Sequence, residues 1–294
     1  MVDLKSGKFL SNLCLFAVLV SIVFIAAGCR LTPTEEAASF TSRDLHGEGL
    51  VVLCYHRVLS SPLLRMGRFL WPSEEELTRY TLSTGEFAAQ LDYLRRRGVR
   101  FVTPGEAEDY LTGKKSFSGK LALVTFDDGD LSVYREAFPI LKERHIPFLL
   151  FLVTGQVGKR WQGFTMCTWE QIREMVQSGL CTVGLHTHDL HYLDRETKKP
   201  VFLLPGREAD FAADTARGVA ILRDEIGAQV RYFAYPYGFG NPSTDRSLAS
   251  EGIPNVFTLR AKVNRPGDSR SFIGRIVVTP ESWPQVAAWA DGNL

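Results

Sequence analysis

Short, uninterrupted apolar runs recur along this 294-residue chain, and helical stretches separate them. The runs fall at residues 50–58, 100–102, 121–126, 147–154, 181–185, 231–235, 255–259 and 276–278. The clearest carries Phe148, Leu149, Leu150, Phe151, Leu152 and Val153 in succession, with no polar alternation. A strand with one wet face alternates; one that does not is buried on both faces, as in a parallel sheet. Between the runs lie helix signals. Residues 86–94 place apolar side chains at helical spacing, with Thr84 as the expected N-cap and Gly98 as the stop. Residues 133–145, 168–176 and 208–226 repeat the pattern, and Trp169, Ile172 and Val176 share one face, which reads as core. Strands that alternate with helices form a parallel sheet covered by helices, and seven or so such units favour an α/β barrel.

The polar residues that carry chemistry fall at the carboxyl ends of these runs, where α/β barrels place their active sites. The run at 121–126 ends in Asp127-Asp128-Gly129-Asp130. Two adjacent carboxylates at the end of a buried strand repel, and burying either without a partner is expensive. Some sixty residues on, the run at 181–185 ends in His186-Thr187-His188-Asp189-Leu190-His191, which holds half of the chain's six histidines. An aspartate and two histidines supply three ligands and leave a position open, as in a catalytic divalent-metal site. Alone, Asp-Asp-Gly reads as a turn and a single histidine as surface or core. Together, each at the exit of a strand, they read as a metal centre. His188 competes with His191 for the second histidine position, because residues two apart face the same way along a strand.

Ahead of this domain, Lys5 and Lys8 precede an apolar run from Leu13 to Ala27, short for a bilayer span but right for an export signal. It ends in Ile25-Ala26-Ala27-Gly28-Cys29, which resembles a bacterial lipobox. The expected organisation is a signal peptide over residues 1–28, a flexible tether over 29–48 and one folded domain over 49–294. That resemblance implies an exported protein held on a membrane by a lipid on Cys29; the alternatives are an uncleaved anchor or a plain secretory peptide. Arg30 follows the cysteine, which favours an outer membrane, facing the periplasm, in a Gram-negative cell. With 34 basic and 33 acidic residues and no charge blocks, nothing points to nucleic acid. Cys54, Cys167 and Cys181 are odd in number and lack metal-cluster spacing, so neither a disulfide nor a cysteine zinc site is expected.

Thr125-Phe126-Asp127-Asp128-Gly129 resembles the first motif of the polysaccharide deacetylases, carbohydrate esterase family 4. His186-Thr187 with His191 resembles their second motif and residues 233–238 their third. Two departures refine this. The second histidine comes five residues after the first rather than four, so both can reach one ion only from a loop, and Ala234 stands where an arginine is usual. With His56 near the start of the domain, both departures resemble the biofilm poly-N-acetylglucosamine deacetylases, exported proteins whose general-acid histidine lies at the N-terminal end.

The resemblance implies a distorted (β/α) barrel of about seven strands and a metal-dependent hydrolase that removes N-acetyl groups from an exported polysaccharide, poly-β-1,6-N-acetylglucosamine being the expected substrate. It implies Asp128, His186 and His191 as metal ligands, Asp127 as general base, His56 as general acid and the backbone N–H of Tyr237 as oxyanion donor. Arg275 or Arg231 is expected to orient Asp127 in place of the missing arginine. Asp189 is a candidate for fixing a histidine tautomer, and Asp130 for a turn or support group. Zinc is the expected ion, with cobalt and nickel as alternatives. Trp71, Trp161 and Tyr192 are candidates for stacking on sugar rings. Partners expected are the acetylated polysaccharide, the membrane and a polysaccharide export machinery. Alternative readings are a deacetylase of peptidoglycan, chitin fragments or O-acetylated glycan, and a non-catalytic glycan-binding lipoprotein.

Overall fold

The computed structural model describes residues 45–62, 64, 66, 79–227 and 229–292. The expected signal segment, Cys29 and Trp71 lie outside the described residues. In chain order the strands and helices are β1 (Gly49–Tyr55), β2 (Arg57–Leu59), β3 (Thr81–Ser83), α1 (Thr84–Arg96), β4 (Arg100–Phe101), α2 (Pro104–Leu111), β5 (Lys120–Phe126), α3 (Phe138–Glu143), β6 (Phe148–Leu152), β7 (Arg160–Trp161), β8 (Phe164–Thr165), α4 (Trp169–Gln177), β9 (Cys181–Leu185), α5 (Glu208–Ile226), β10 (Tyr232–Ala234), α6 (Pro242–Ser250), β11 (Asn255–Thr258), β12 (Ile273–Val277) and α7 (Trp283–Asp291).

The barrel runs β1-β12-β11-β10-β9-β6-β5 and closes where β5 returns to β1, every pair parallel, with β4 added outside β5. Its pairing is uneven. β1 and β5 match over seven residues, from Gly49 opposite Lys120 to Tyr55 opposite Phe126, whereas β9 and β10 meet only at Leu185 and Phe233. This is the seven-strand, distorted barrel the sequence led one to expect.

Alternation along the strands sorts the apolar side chains into two cores. Leu50, Val52, Leu121, Leu123, Leu149 and Phe257 fill the barrel interior. Val51, Leu53, Ala122, Val124, Leu150 and Leu185 face the helices, where they pack with Phe87 and Leu91 of α1 and Ile172 of α4. The apolar runs therefore lack alternation because both faces are dry. Gly184 keeps the interior closed: a Cβ there would lie 2.6 Å from the Phe151 ring and 2.8 Å from the carbonyl oxygen of Tyr232.

Local signals set the element ends. The N-cap of α1 is Ser83 rather than Thr84, because Glu86 lies three residues after Ser83 and closes a capping box: Ser83 Oγ accepts from Glu86 N–H, and the Glu86 carboxylate accepts from Ser83 N–H at 2.8 Å. Gly98, at φ +76°, ends the turn after α1, and Thr168 with Gln171 caps α4 in the same way as Ser83 caps α1. β12 begins at Ile273 instead of residue 276, since its pairing with β11 starts at Phe257 opposite Ile273. Residues 45–48, placed in the tether by sequence, pack on the domain: Leu45 is buried, and the carbonyls of His46 and Gly47 accept from Arg265 and Trp289.

Candidate active site

Strand exits bring the chemistry together. His56 follows β1, Asp127 and Asp128 follow β5, His186 follows β9 and Tyr237 follows β10. All five, with His191, line one cavity of about 580 Å³. Three of the six non-glycine residues with positive φ among the described residues lie at these exits: Asp128 (φ 72°), Thr187 (73°) and Tyr237 (61°). Backbone held in this sparsely populated region by its surroundings is a feature of functional sites.

Asp127 continues the inward alternation of β5, two residues beyond Thr125, and its N–H donates to the carbonyl of Tyr55 at 3.1 Å. Arg275, from the middle of β12, reaches it past the intervening strand β1. Its Nη1 donates to Oδ1 at 2.6 Å and its Nη2 to Oδ2 at 2.8 Å, a bidentate fork between side chains that are almost completely buried. Burial alone would raise the Asp127 pKa. The Arg275 guanidinium acts more strongly in the other direction and holds the carboxyl well below the usual carboxylate range.

Asp128 breaks the alternation through its positive φ, so the two neighbouring carboxylates serve different partners. Its Oδ1 lies 3.4 Å from His191 Nε2 and 3.9 Å from His186 Nε2. Its Oδ2 lies 3.8 Å from Nη2 of Arg57, a buried guanidinium that also pairs with Asp130 at 3.3 Å and lies 3.7 Å from the Phe164 ring centroid. Nδ1 of His186 is 2.6 Å from the carbonyl oxygen of Ala234. A carbonyl only accepts, so Nδ1 carries the proton and Nε2 presents a lone pair toward the aspartates. Burial lowers the pKa of His186 to about 3, which keeps the ring neutral.

One ligand atom each from Asp128, His186 and His191 lies within 4.8 Å of the others. The set is one carboxylate and two imidazoles, with the tautomer and charge of His186 already fixed for coordination. These residues fit a divalent ion with further positions open to water and substrate. His56 lies beside Asp127 on another side of the site: Cys54, His56 and Asp127 also each place an atom within 4.8 Å of the others. Nδ1 of His56 is buried without a hydrogen-bond partner among the described residues, and its ring lies 5.1 Å from that of Tyr80.

A family model described as polysaccharide deacetylase matches residues 114–256, which include both aspartates and the histidine segment. The chain is 30% identical over 243 residues to the poly-beta-1,6-N-acetyl-D-glucosamine N-deacetylase of Staphylococcus epidermidis, covering 82% of this chain and 83% of that one. The enzyme of the same name from Staphylococcus aureus strain N315 is 29% identical over the same shares. The chain belongs to the polysaccharide deacetylase family. Among solved structures, IcaB from Ammonifex degensii is 65% identical, with a TM-score of 0.77 over 84% of this chain and 98% of that one. A de-N-acetylase from Aggregatibacter actinomycetemcomitans shares the fold at a TM-score of 0.69 and 23% identity, over 82% of this chain and all of that one.

Within this polysaccharide deacetylase some expected residues fall elsewhere. Of the two arginines named from sequence, Arg275 holds Asp127. Arg231 precedes β10 at the opposite end of the barrel, where it pairs with Glu108 of α2, a strand's length from the cavity. Asp189 does not set the His186 tautomer, because the proton on His186 is directed by the Ala234 carbonyl; the Asp189 carboxylate accepts from Nε2 of Gln156 at 2.6 Å. His188 stands outside the ligand group, with Nδ1 3.0 Å from Thr154 Oγ1. Asp130 is a support group, accepting from Arg57 and from Ser132 N–H. Trp161 packs edge-on against His191 at 5.1 Å, and Tyr192 is 46% exposed. Sequence reasoning missed Arg57. The signal available was its place one residue after His56, but a charged residue in a strand-like run is ordinarily a solvated one.

Proposed function

We propose that this chain hydrolyses N-acetyl groups on poly-β-1,6-N-acetylglucosamine, with a divalent ion held by Asp128, His186 and His191. The observation that carries the reading is the division between adjacent aspartates: Asp128 faces the Nε2 atoms of two histidines, while Asp127 is gripped by Arg275. A non-catalytic sugar-binding protein has no use for a buried carboxylate held ionised beside a ligand set. The names of the relatives, with their 82% coverage of this chain, support the polymer.

When bound, the ion supplies Lewis acidity to the acetyl carbonyl and to water. Arg275 occupies one lone-pair direction on each oxygen of Asp127 and the Cys54 thiol donates to Oδ2 at 3.5 Å, so the direction left on Oδ1 accepts the proton of the attacking water. The backbone N–H of Tyr237 donates to the developing oxyanion. His56 delivers a proton to the departing amine nitrogen, so that the amide and one water leave as acetate and amine. We propose zinc as the resident ion, with cobalt or nickel as functional substitutes, since all three accept an oxygen and two imidazole nitrogens. We also propose that residues 1–28 direct export, that Cys29 carries a lipid anchor on the envelope membrane, and that the chain acts beside a polysaccharide export machinery.

The test is acetate release by the zinc-loaded chain from four substrates compared at equal acetyl concentration: β-1,6-linked N-acetylglucosamine oligomers, chitin oligomers, peptidoglycan fragments and acetyl-xylan. Preference for the β-1,6 oligomers is expected. Preference for acetyl-xylan would make the chain an O-acetyl esterase, and preference for chitin or peptidoglycan would move the polymer assignment.

A further inference from the structure

The segment that carries both ligand histidines, residues 186–191, forms neither helix nor strand. A loop bearing metal ligands must be fixed from outside, or ordering it opposes binding of the ion. On one side it rests on the exit of β6. His186 N–H donates to the carbonyl of Leu152 at 2.8 Å, Thr154 N–H to that of Thr187 at 3.2 Å and Gly155 N–H to that of His188 at 2.8 Å. A Cβ on Gly155 would lie 2.5 Å from the His188 carbonyl oxygen, so backbone meets backbone directly.

On the other side stands one side chain. Asp214, in the second turn of α5, accepts from His188 N–H through Oδ2 at 2.7 Å and from Asp189 N–H through Oδ1 at 2.8 Å. Both oxygens are thus spent on consecutive N–H groups at the crest of the loop. Thr215, the next residue, is fully buried and Gly218 is packed against Leu185 at the end of β9, so this part of α5 is fixed against the strand that leads into the loop. Thr187, at φ 73°, is where the chain turns to present these N–H groups. A neutral side chain does not replace this clamp, because two parallel N–H donors require two acceptors, and charge-assisted bonds of this length are about twice as strong as neutral ones.

We propose that Asp214 is a positioning residue for the metal centre: by clamping the crest of the loop it sets His191 relative to His186 and Asp128, and so raises affinity for the ion without touching substrate. This rests on the reading that Asp128, His186 and His191 are the ligands. The longer histidine spacing makes the requirement plain, since the additional residue between the ligands would otherwise be slack in the loop.

The test is the affinity of the full chain for Zn2+ and Co2+, measured by competition with a chromophoric chelator, together with the visible spectrum of the Co2+ form. Variants are Asp214→Ala, Asp214→Asn, His191→Ala and Glu108→Gln, the last a destabilising control at the far end of the barrel. Loss of a group that orients metal ligands weakens affinity by about 10–100-fold. Asp214→Ala is expected to fall in that range with an altered cobalt spectrum, Asp214→Asn to fall between it and wild type, and Glu108→Gln to bind as wild type does. Saturating metal is expected to restore most of kcat in Asp214→Ala. Wild-type affinity in folded Asp214→Ala, with affinity lost in His191→Ala, overturns the clamp while leaving the ligand reading intact. Wild-type affinity in His191→Ala overturns the ligand reading itself. If Asp214→Ala does not fold, Asp214→Asn with affinity and spectrum equal to wild type is the overturning result.

Discussion

Replacing Arg275 with glutamine removes one half of a buried ion pair. Arg275 is fully buried and Asp127 is 2% exposed, and the fork between them has two bonds of 2.6 and 2.8 Å. Breaking such a pair from one side costs about 3–5 kcal/mol, because the remaining charge stays buried without compensation. That is a large part of the roughly 5–15 kcal/mol that holds a domain folded. The effect also has a pH signature. In the native protein the Asp127 pKa lies below its ordinary 3.8, so its contribution to stability is complete above that value and is lost as pH falls through the native pKa. In Arg275→Gln burial dominates and the folded pKa rises above 3.8. The folded variant then takes up a proton as pH falls, and its deficit shrinks. Urea unfolding of both proteins in chelator, at pH 7 and pH 4.5, measures this directly. A deficit of about 3–5 kcal/mol at pH 7 that narrows at pH 4.5 is expected, with Arg275→Lys intermediate because it keeps the charge and loses the fork. A deficit below about 1 kcal/mol at pH 7, or one that widens toward acid, would refute the reasoning.

Burial holds the His186 pKa near 3 against an ordinary value of 6.5, so the unfolded chain binds a proton that the folded apo-protein refuses. Apo stability should therefore fall as pH drops below about 6.5, and His186→Asn should flatten that slope in unfolding measured between pH 7 and pH 4.5. Gly184→Ala should destabilise by about 1–3 kcal/mol, because its new carbon would press on the Phe151 ring and the Tyr232 carbonyl inside the barrel; unchanged urea unfolding would contradict this. Asp128→Asn should bind less than stoichiometric zinc after dialysis while Asp130→Asn retains the ion, as read by elemental analysis.

The barrel was legible because its strands are dry on both faces, and apolar runs such as 148–153 carry that information locally. The site was legible where a strand exit announces it, as at Asp127-Asp128 and His186. What remained hidden depends on long-range register. Whether Arg275 or Arg231 meets Asp127 turns on where each lies along its strand: Arg275 sits halfway along β12 and faces inward, while Arg231 precedes β10. The partner that fixes the His186 tautomer is a backbone carbonyl, which any residue at position 234 would supply, so the missing arginine there carried no hint of it. Arg57 and Asp214 were overlooked for a related reason, since both act on neighbours that the chain brings close only after folding.

The central claim is that Asp127 performs proton transfer beside an ion held by other residues. Acetate release from β-1,6-linked N-acetylglucosamine oligomers, measured for wild type and Asp127→Asn at verified one-to-one zinc occupancy, tests it most directly. Wild type should release acetate in a manner abolished by chelator and restored by zinc, while Asp127→Asn keeps its ion and loses activity by about 100-fold or more, the usual scale of general-base catalysis. Zinc-loaded Asp127→Asn working at the wild-type rate, or fully loaded wild type releasing no acetate, would contradict the account.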